Sequence, residues 1–419
     1  MDDLPSTWTI SKLSDLLVSL ESGSRPRGGV RGISSGIPSI GGEHLTSIGT
    51  FDFSNIKYVP EPFAERMSKG HIQPNDILIV KDGATTGKIS LVGIDFPYRN
   101  AVVNEHVFIC RPKPHIEPKY LFRFLFSLDG QQQILDNFKG SAQGGINLSF
   151  VNNVAVPIAP LPEQRRVVEK LEQLLAKVTT CRQRLDKIPT ILKRFRQSIL
   201  HTAFSKNNHV SGKMAEIIKD GPQNGLYKPQ NAYGNGTLIV RIDNFYGGII
   251  EPWDNLQRLS LSDKERQLYS LRNGDLLINR VNSMKYLGKS ALVRRLIEPC
   301  VFESNIMRIG LNHKFVEPEY VVLYLQCPQG IVELRKNAKH AVNQSSINQQ
   351  DVKSCSIPLP PLPEQRESIR RVEALFKIAD GIQARYEKAR AQVDKLTQAI
   401  LAKAFRGELV RPLLNSENG

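Results

Sequence analysis

Leu161-Pro162-Glu163-Gln164-Arg165 returns, residue for residue, as Leu362-Pro363-Glu364-Gln365-Arg366. The two copies stay in step without a gap. They meet again at Ile199-Leu200 and Ile400-Leu401, and at Ala203-Phe204 and Ala404-Phe405. Identity held at one fixed offset is the mark of an internal repeat, and here it is a two-fold duplication rather than a solenoid array.

Proline near a helix start is pre-set for helical φ, and Glu163 or Glu364 suits the positive end of the helix dipole. Behind that start the apolar residues alternate at spacings of three and four. In the first copy they are Leu171, Leu174, Val178, Cys181, Leu185, Ile188, Leu192, Phe195 and Ile199. In the second they are Val372, Leu375, Ala379, Ile382, Tyr386, Ala389, Val393, Leu396 and Ile400. The remaining positions are mostly charged or amide-bearing. This pattern predicts two coiled-coil helices, each roughly 60 Å long, with the other copy as the simplest cover for each stripe. Pro189 and Gly381 predict a kink or break in each.

The flanking segments also repeat. Between Trp8 and Pro160 short apolar runs alternate with turns. Ile37–Ile40, Ile77–Val80, Lys88–Val92 and Val102–Cys110 read as strands, and Glu117-Pro118-Lys119-Tyr120 opens a helix through Leu128. From Gly212 to Pro361 the order recurs. Asn273–Ile278 answers Pro74–Val80, Leu287–Val293 answers Thr86–Val92, and Glu317-Pro318-Glu319-Tyr320 answers Glu117–Tyr120. The predicted fold is therefore α+β, with two mixed α/β domains alternating with two long antiparallel helices. The expected boundaries are domain one at 1–160, a central helix at 161–209, domain two at 210–361, a C-terminal helix at 362–412, and a disordered tail at 413–419. The scaffolds agree between copies while the loops differ, as expected for two related domains reading different ligands.

A chain of 419 residues, 40% hydrophobic, has room for two or three cores. Its formal net charge of +15 favours an anionic partner, nucleic acid first. No apolar run reaches the length of a membrane span, and the first residues carry no signal pattern. The five cysteines are widely spaced, with no CxxC pair, so neither zinc nor a disulfide framework is indicated. A cytoplasmic protein with reduced, buried thiols is expected.

The catalytic inventory is empty. Gly83-Ala84-Thr85-Thr86-Gly87-Lys88 imitates a phosphate-binding loop but is one residue short, with Ile89 where a magnesium-binding hydroxyl belongs. There is no HExxH, GxSxG or GxGxxG, and no Asn-Pro-Pro or Asp-Pro-Pro tetrapeptide for holding a flipped base. No cofactor or metal site is expected on the chain. The positive signal is basic and amide residues in loops, suited to phosphates and to paired hydrogen bonds with guanine or adenine edges. In domain one these are Arg25, Arg27, Arg31, Lys81, Lys88, Arg99, Asn100, Lys139, Gln143 and Asn147. In domain two they are Lys228, Arg241, Asn279, Arg280, Lys285, Lys289, Asn343, Gln344 and Asn348.

Two helices opened by Leu-Pro-Glu-Gln-Arg and alternating with two variable domains resemble the specificity (S) subunit of Type I restriction-modification enzymes. Ile188–Leu200 is similar to that family's central conserved region, and the Ala-Phe endings at Phe204 and Phe405 are similar to its helix ends. The resemblance spans essentially the whole chain. It implies that each variable domain is a target recognition domain for half of a bipartite DNA site. The helices would be an antiparallel spacer about a pseudo-two-fold axis. It further implies docking of two methyltransferase (M) subunits and two restriction (R) subunits. Methyl donor, ATP and Mg would belong to those partners. Domain two carries Pro222, Gln223, Asn224 and Tyr227 where domain one has Arg25, Arg27 and Arg31, so the half-sites should differ. The reading from another class is a coiled-coil scaffold whose domains bind protein.

Overall fold

The computed structural model describes residues 4–140, 144–205, 211–250, 252–340 and 344–410. The expected tail at 413–419 lies outside the described residues. The chain separates into two compact units, 1–185 with 388–419, and 186–387. Each unit is a globular domain together with part of each long helix.

In the first unit a four-stranded antiparallel sheet runs in the order Leu17–Ser22, Val107–Pro112, Ile77–Val80, Ile89–Leu91. A second sheet places Ile37–Ile40 between Lys57–Val59 and Val102–Val103, the last pair parallel. Ile77–Val80 is buried along its whole length, as its unbroken apolar run requires. The run Val102–Cys110, read as one strand, is two. Asn104 accepts from the His106 N–H at 2.9 Å, and this Asx turn sends Val102–Val103 to one sheet and Val107–Pro112 to the other. The second unit repeats the four-stranded order as Ile218–Asn224, Ile306–Leu311, Leu276–Asn279, Ser290–Leu292. Its second sheet is Gln257–Leu259, Tyr233–Val240, Cys300–Phe302.

The repeated pentapeptide is a latch. The Gln164 side chain accepts from the Glu117 N–H at 2.9 Å and donates to the Ala159 carbonyl at 2.8 Å. Gln365 does the same with the Glu317 N–H at 2.9 Å and the Pro360 carbonyl at 2.8 Å. Both amides are buried, so leaving either half-paired would cost more than the bond itself contributes. Glu163 is buried too, and accepts from the Trp8 indole at 2.9 Å. Each helix start is thereby fixed to the domain that precedes it.

The helix ends are held differently. Phe405 lies edge-on to Tyr120 and Phe124, with centroids 5.2 and 5.3 Å away. Phe204 makes the same contacts with Tyr320 and Tyr324, at 5.2 and 5.5 Å. Thus each domain's core is completed by the last residues of the helix from the other copy. Within the first unit Arg182 pairs with Asp394 at 3.0 Å, while Leu171 shares a core with Leu401. Within the second Arg196 pairs with Asp380, while Ile199 shares a core with Val372. Numbers falling on one helix as they rise on the other make the pairing antiparallel in both units.

The heptad stripe is sealed on one column only. Leu171, Val178, Leu192, Ile199, Val372 and Ala379 are buried, but Cys181, Phe195, Leu375, Ile382 and Leu396 remain exposed. A second column needs another long helix to cover it, and among the described residues each unit supplies only two. Of the two expected breaks, the one near Pro189 is present and the one near Gly381 is not. The first helix ends at Leu185 and restarts at Ile188, with Pro189 in its opening turn, where the missing N–H is tolerated. Leu362–Phe405 runs unbroken through Gly381.

Candidate nucleic-acid interface

In the first unit the strand Ile77–Val80 ends at Lys81, and three loops meet there. The Lys81 N–H donates to the His106 carbonyl at 2.9 Å, and the Ile146 N–H donates to the Lys81 carbonyl at 2.7 Å. The Gly83 N–H reaches the Gly144 carbonyl at 3.3 Å. Lys139 and Gly145 exchange bonds of 3.0 Å, which brings in the loop that follows the second domain helix. His106 bridges two carboxylates, with Nδ1 2.5 Å from Asp82 and Nε2 3.3 Å from Glu105. Arg25 pairs with Glu105 at 2.7 Å, drawing the glycine-rich segment to the same edge. Gly28, Gly29 and Gly32 there have φ of 88°, 79° and 81°, a conformation glycine adopts without strain. Arg27, Arg31 and Lys139 are exposed, and none pairs with a carboxylate among the described residues. Lys81 is half-buried over the Phe108 ring.

Gly83–Lys88 is the hairpin turn between Ile77–Val80 and Ile89–Leu91, closed by a 2.8 Å bond from the Gly87 N–H to the Val80 carbonyl. It leads into a strand, so no helix N-terminus is available for a phosphate. Lys88 extends half-exposed from this turn. Arg99 lines a groove with Pro74, Asn75 and Ile94, at the opposite end of the Ile77–Val80 strand from Lys81, and exposed Asn100 follows it. Asn147 is spent on a cap, accepting from the Ser149 N–H at 3.0 Å. Gln143 lies outside the described residues.

The second unit builds the same edge with other side chains. The Arg280 N–H donates to the Asn305 carbonyl at 2.8 Å, and the Ile347 N–H donates to the Arg280 carbonyl at 3.0 Å. Arg280 therefore stands where Lys81 stands. Val281–Asn282 pairs with Ser345–Ser346, which pairs with Lys339–His340. Lys285 and Gln344 are exposed at this edge. Lys339 is exposed there too and escaped the sequence reading, although its offset from Lys139 points to it.

Several expected contacts are internal instead. Asn279 is buried, donating to the carbonyls of Val281 and Asn305 at 3.3 and 3.2 Å, and cannot reach a base edge. Asn348 caps a helix, accepting from the N–H groups of Gln350 and Asp351. Lys228 holds Glu265 at 2.6 Å, and this contact, with Ser262, brings the Glu265 carboxyl down to about 2. Arg241 is enclosed by Gln257 at 3.0 Å, Glu303 at 3.4 Å and the Tyr233 ring. Lys289 donates to the Ile242 carbonyl at 2.5 Å, beneath the rings of Phe245, Tyr246 and Tyr286. Burial lowers its ammonium from the usual lysine value, against the opposing pull of Asp243. Asn343 lies outside the described residues.

The family model described as Type I restriction modification DNA specificity domain matches residues 5–190 and 244–389. The chain belongs to the Type I specificity-subunit family. The double match falls on the same duplication that the pentapeptide marks. Among relatives, the StySPI specificity subunit of Salmonella potsdam is 34% identical over 387 residues, covering 86% of this chain and 80% of that one. The EcoKI specificity subunit of Escherichia coli strain K12 is 32% identical over 385 residues, with the same coverage of 86% and 80%. Among solved structures, the HsdS subunit from Thermoanaerobacter tengcongensis aligns with a TM-score of 0.62 at 20% identity, over 97% of this chain and 98% of that one. A chain from a structure titled for complex assembly and conformational transition of the type I R-M system aligns at 0.74 and 21% identity, over 97% and 99%. At such identities these structures bear on the fold. The two globular domains of this specificity subunit are its recognition domains, joined by the long helices. Among the described residues no helix is long and apolar enough to cross a membrane, and no group of three or more His, Cys, Asp or Glu could hold a metal ion.

Proposed function

We propose that this specificity subunit reads a bipartite duplex target, one half-site per recognition domain, and carries M and R subunits that perform the chemistry. The observation behind this reading is the duplicated strand-end edge. It has one backbone plan in both domains, with Arg25, Arg27, Arg31 and Lys139 in one and Arg280, Lys285, Lys339 and Gln344 in the other. Unlike side chains on like scaffolds suit two unlike half-sites. Exposed arginines and lysines supply phosphate contacts, and loop amides and arginines supply base contacts.

Partner docking is supported by the unsealed helix column. In the second unit Phe195, Ile199, Ala203, Val372 and Leu375 line a groove of about 490 Å³, rimmed by Glu364, Glu367 and Arg371. Exposed Ile191, Ile378 and Ile382 lie on the same helices. Such an apolar surface with a charged rim suits a protein partner. Two M and two R subunits, holding methyl donor, ATP and Mg, complete the proposed cytoplasmic complex. That one of the similar solved chains comes from a structure titled for type I R-M assembly supports this reading.

The helices serve as a ruler. Removing one heptad from both shortens them by about 10 Å, or about 3 base pairs at 3.4 Å each. Methylated adenines sequenced from cells carrying this chain and its M partner should show two short half-sites with a fixed gap. The shortened variant should keep both half-sites and change the gap. An unchanged gap would refute the ruler, and methylation at one undivided site would refute the two-reader scheme.

A further inference from the structure

The second recognition domain carries a hairpin that its basic edge does not account for. Phe245–Tyr246 pairs with Ile249–Ile250 across Gly247 and Gly248, whose φ of 58° and 84° are both positive. Such a two-residue turn matches the twist of its strands. Phe245 points into the core while Tyr246 is 53% and Ile249 72% exposed, the alternation a strand imposes. The hairpin is pressed onto the helix Pro318–Gln326. A Cβ on Gly248 would lie 2.3 Å from the Gln326 amide and 3.1 Å from Val322. Its tip is thus packed against that helix.

Two observations give that tip a chemistry. Lys289 sits 3.8 Å from the Tyr246 ring centroid, covering one face of the ring. Tyr286 meets Tyr246 edge-on at 6.5 Å and carries Lys285 at 5.0 Å on its own ring. Tyr286 and Lys285 belong to the turn that follows Arg280, so the rings are continuous with the proposed DNA edge. The first domain has the equivalent turn, where Leu45 bridges Phe51 and Gly49 packs against Phe122 and Phe126. Its tip is Thr46-Ser47-Ile48, without a ring.

We infer that Tyr246 and Tyr286 form a stacking platform for a base of the half-site read by the second domain, with Lys285 on the adjacent phosphate. This rests on the proposed DNA reading and adds an asymmetry to it. A half-exposed ring backed by a cation, among lysines, suits a base face. Base faces are accessible only where the duplex is locally opened, which is easiest at TA and CA/TG steps. The second half-site therefore contains such a step beside the platform, and the first does not need one.

The test uses the complex of this chain with its methyltransferase partner, on a duplex whose target has been fixed by methylated-adenine sequencing. Permanganate, which oxidises unstacked thymines, should mark a thymine in the second half-site on binding. Tyr246→Ala should abolish that mark and weaken binding roughly tenfold, while Tyr246→Phe retains both. Wild-type affinity in Tyr246→Ala would overturn the platform while leaving the two-reader scheme standing. So would an unmarked duplex whose binding instead falls when thymines are replaced by uracil, which would assign the rings to methyl contacts. A wild-type complex that binds no duplex would remove the DNA reading itself and the platform with it.

Discussion

Replacing Phe405 by alanine should loosen the first unit far more than its place at a helix end suggests. The ring is only 5% exposed and lies edge-on to both Tyr120 and Phe124. Burying a phenylalanine and then deleting it from a packed core costs about 3–5 kcal/mol, and the two edge-to-face contacts place this site toward the upper half, about 4 kcal/mol. Phe405→Leu refills most of the volume and should cost less than about half of that. The assay is urea unfolding followed by Trp8 fluorescence in a Trp253→Phe background. Trp8 is buried beside Tyr120, with ring centroids 6.2 Å apart, and so reports this unit alone. The midpoint should fall with little change in slope, since the exposed area on unfolding is nearly the same. A loss below about 1 kcal/mol would show that the helix end is not part of the domain's core. Phe204→Ala, followed through Trp253, is the matched perturbation in the second unit.

Three further outcomes are expected. Arg27→Ala with Arg31→Ala should weaken binding evenly across sequences and lower the salt slope by about one to two phosphate contacts, measured by anisotropy at several salt concentrations. The Glu265 carboxyl should titrate near 2 by NMR and return toward its ordinary 4.5 in Lys228→Ala. Because its folded value is depressed, the stabilisation it gives is present above pH 4.5 and is lost as pH falls toward 2. A thiol reagent should label exposed Cys181 first, while Cys300 and Cys355, buried and pushed up to about 12, react only on unfolding.

The sequence reveals what is periodic or repeated, namely the two helices, their shared origin, and the order of strands in each domain. What it hides depends on contacts between distant residues. Gln164 and Gln365 look like surface amides until Glu117 and Glu317 come to lie beside them. Asn147, Asn279 and Asn348 share an amide's chemistry with a base reader, but capping and burial claim them first. Lys289 counts as a free cation until three aromatic rings close over it. Gly381 would weaken an isolated helix by about 1 kcal/mol relative to alanine, an amount that a 44-residue helix absorbs through its packing. Pro189 marks its break correctly, for the helix stops at Leu185 and restarts at Ile188, just ahead of it.

The core of the first domain ends with Leu401, Ala404 and Phe405, more than two hundred residues past its last strand. A contiguous excision of residues 1–185 would consequently leave an apolar hole that nothing in the fragment can fill, whereas Phe204 directly precedes the second domain and a contiguous piece such as 186–387 keeps it. Anyone wishing to handle the first reader alone must graft the distant helix end back onto it, as a fused or co-expressed segment, instead of trimming the gene at the apparent domain limits.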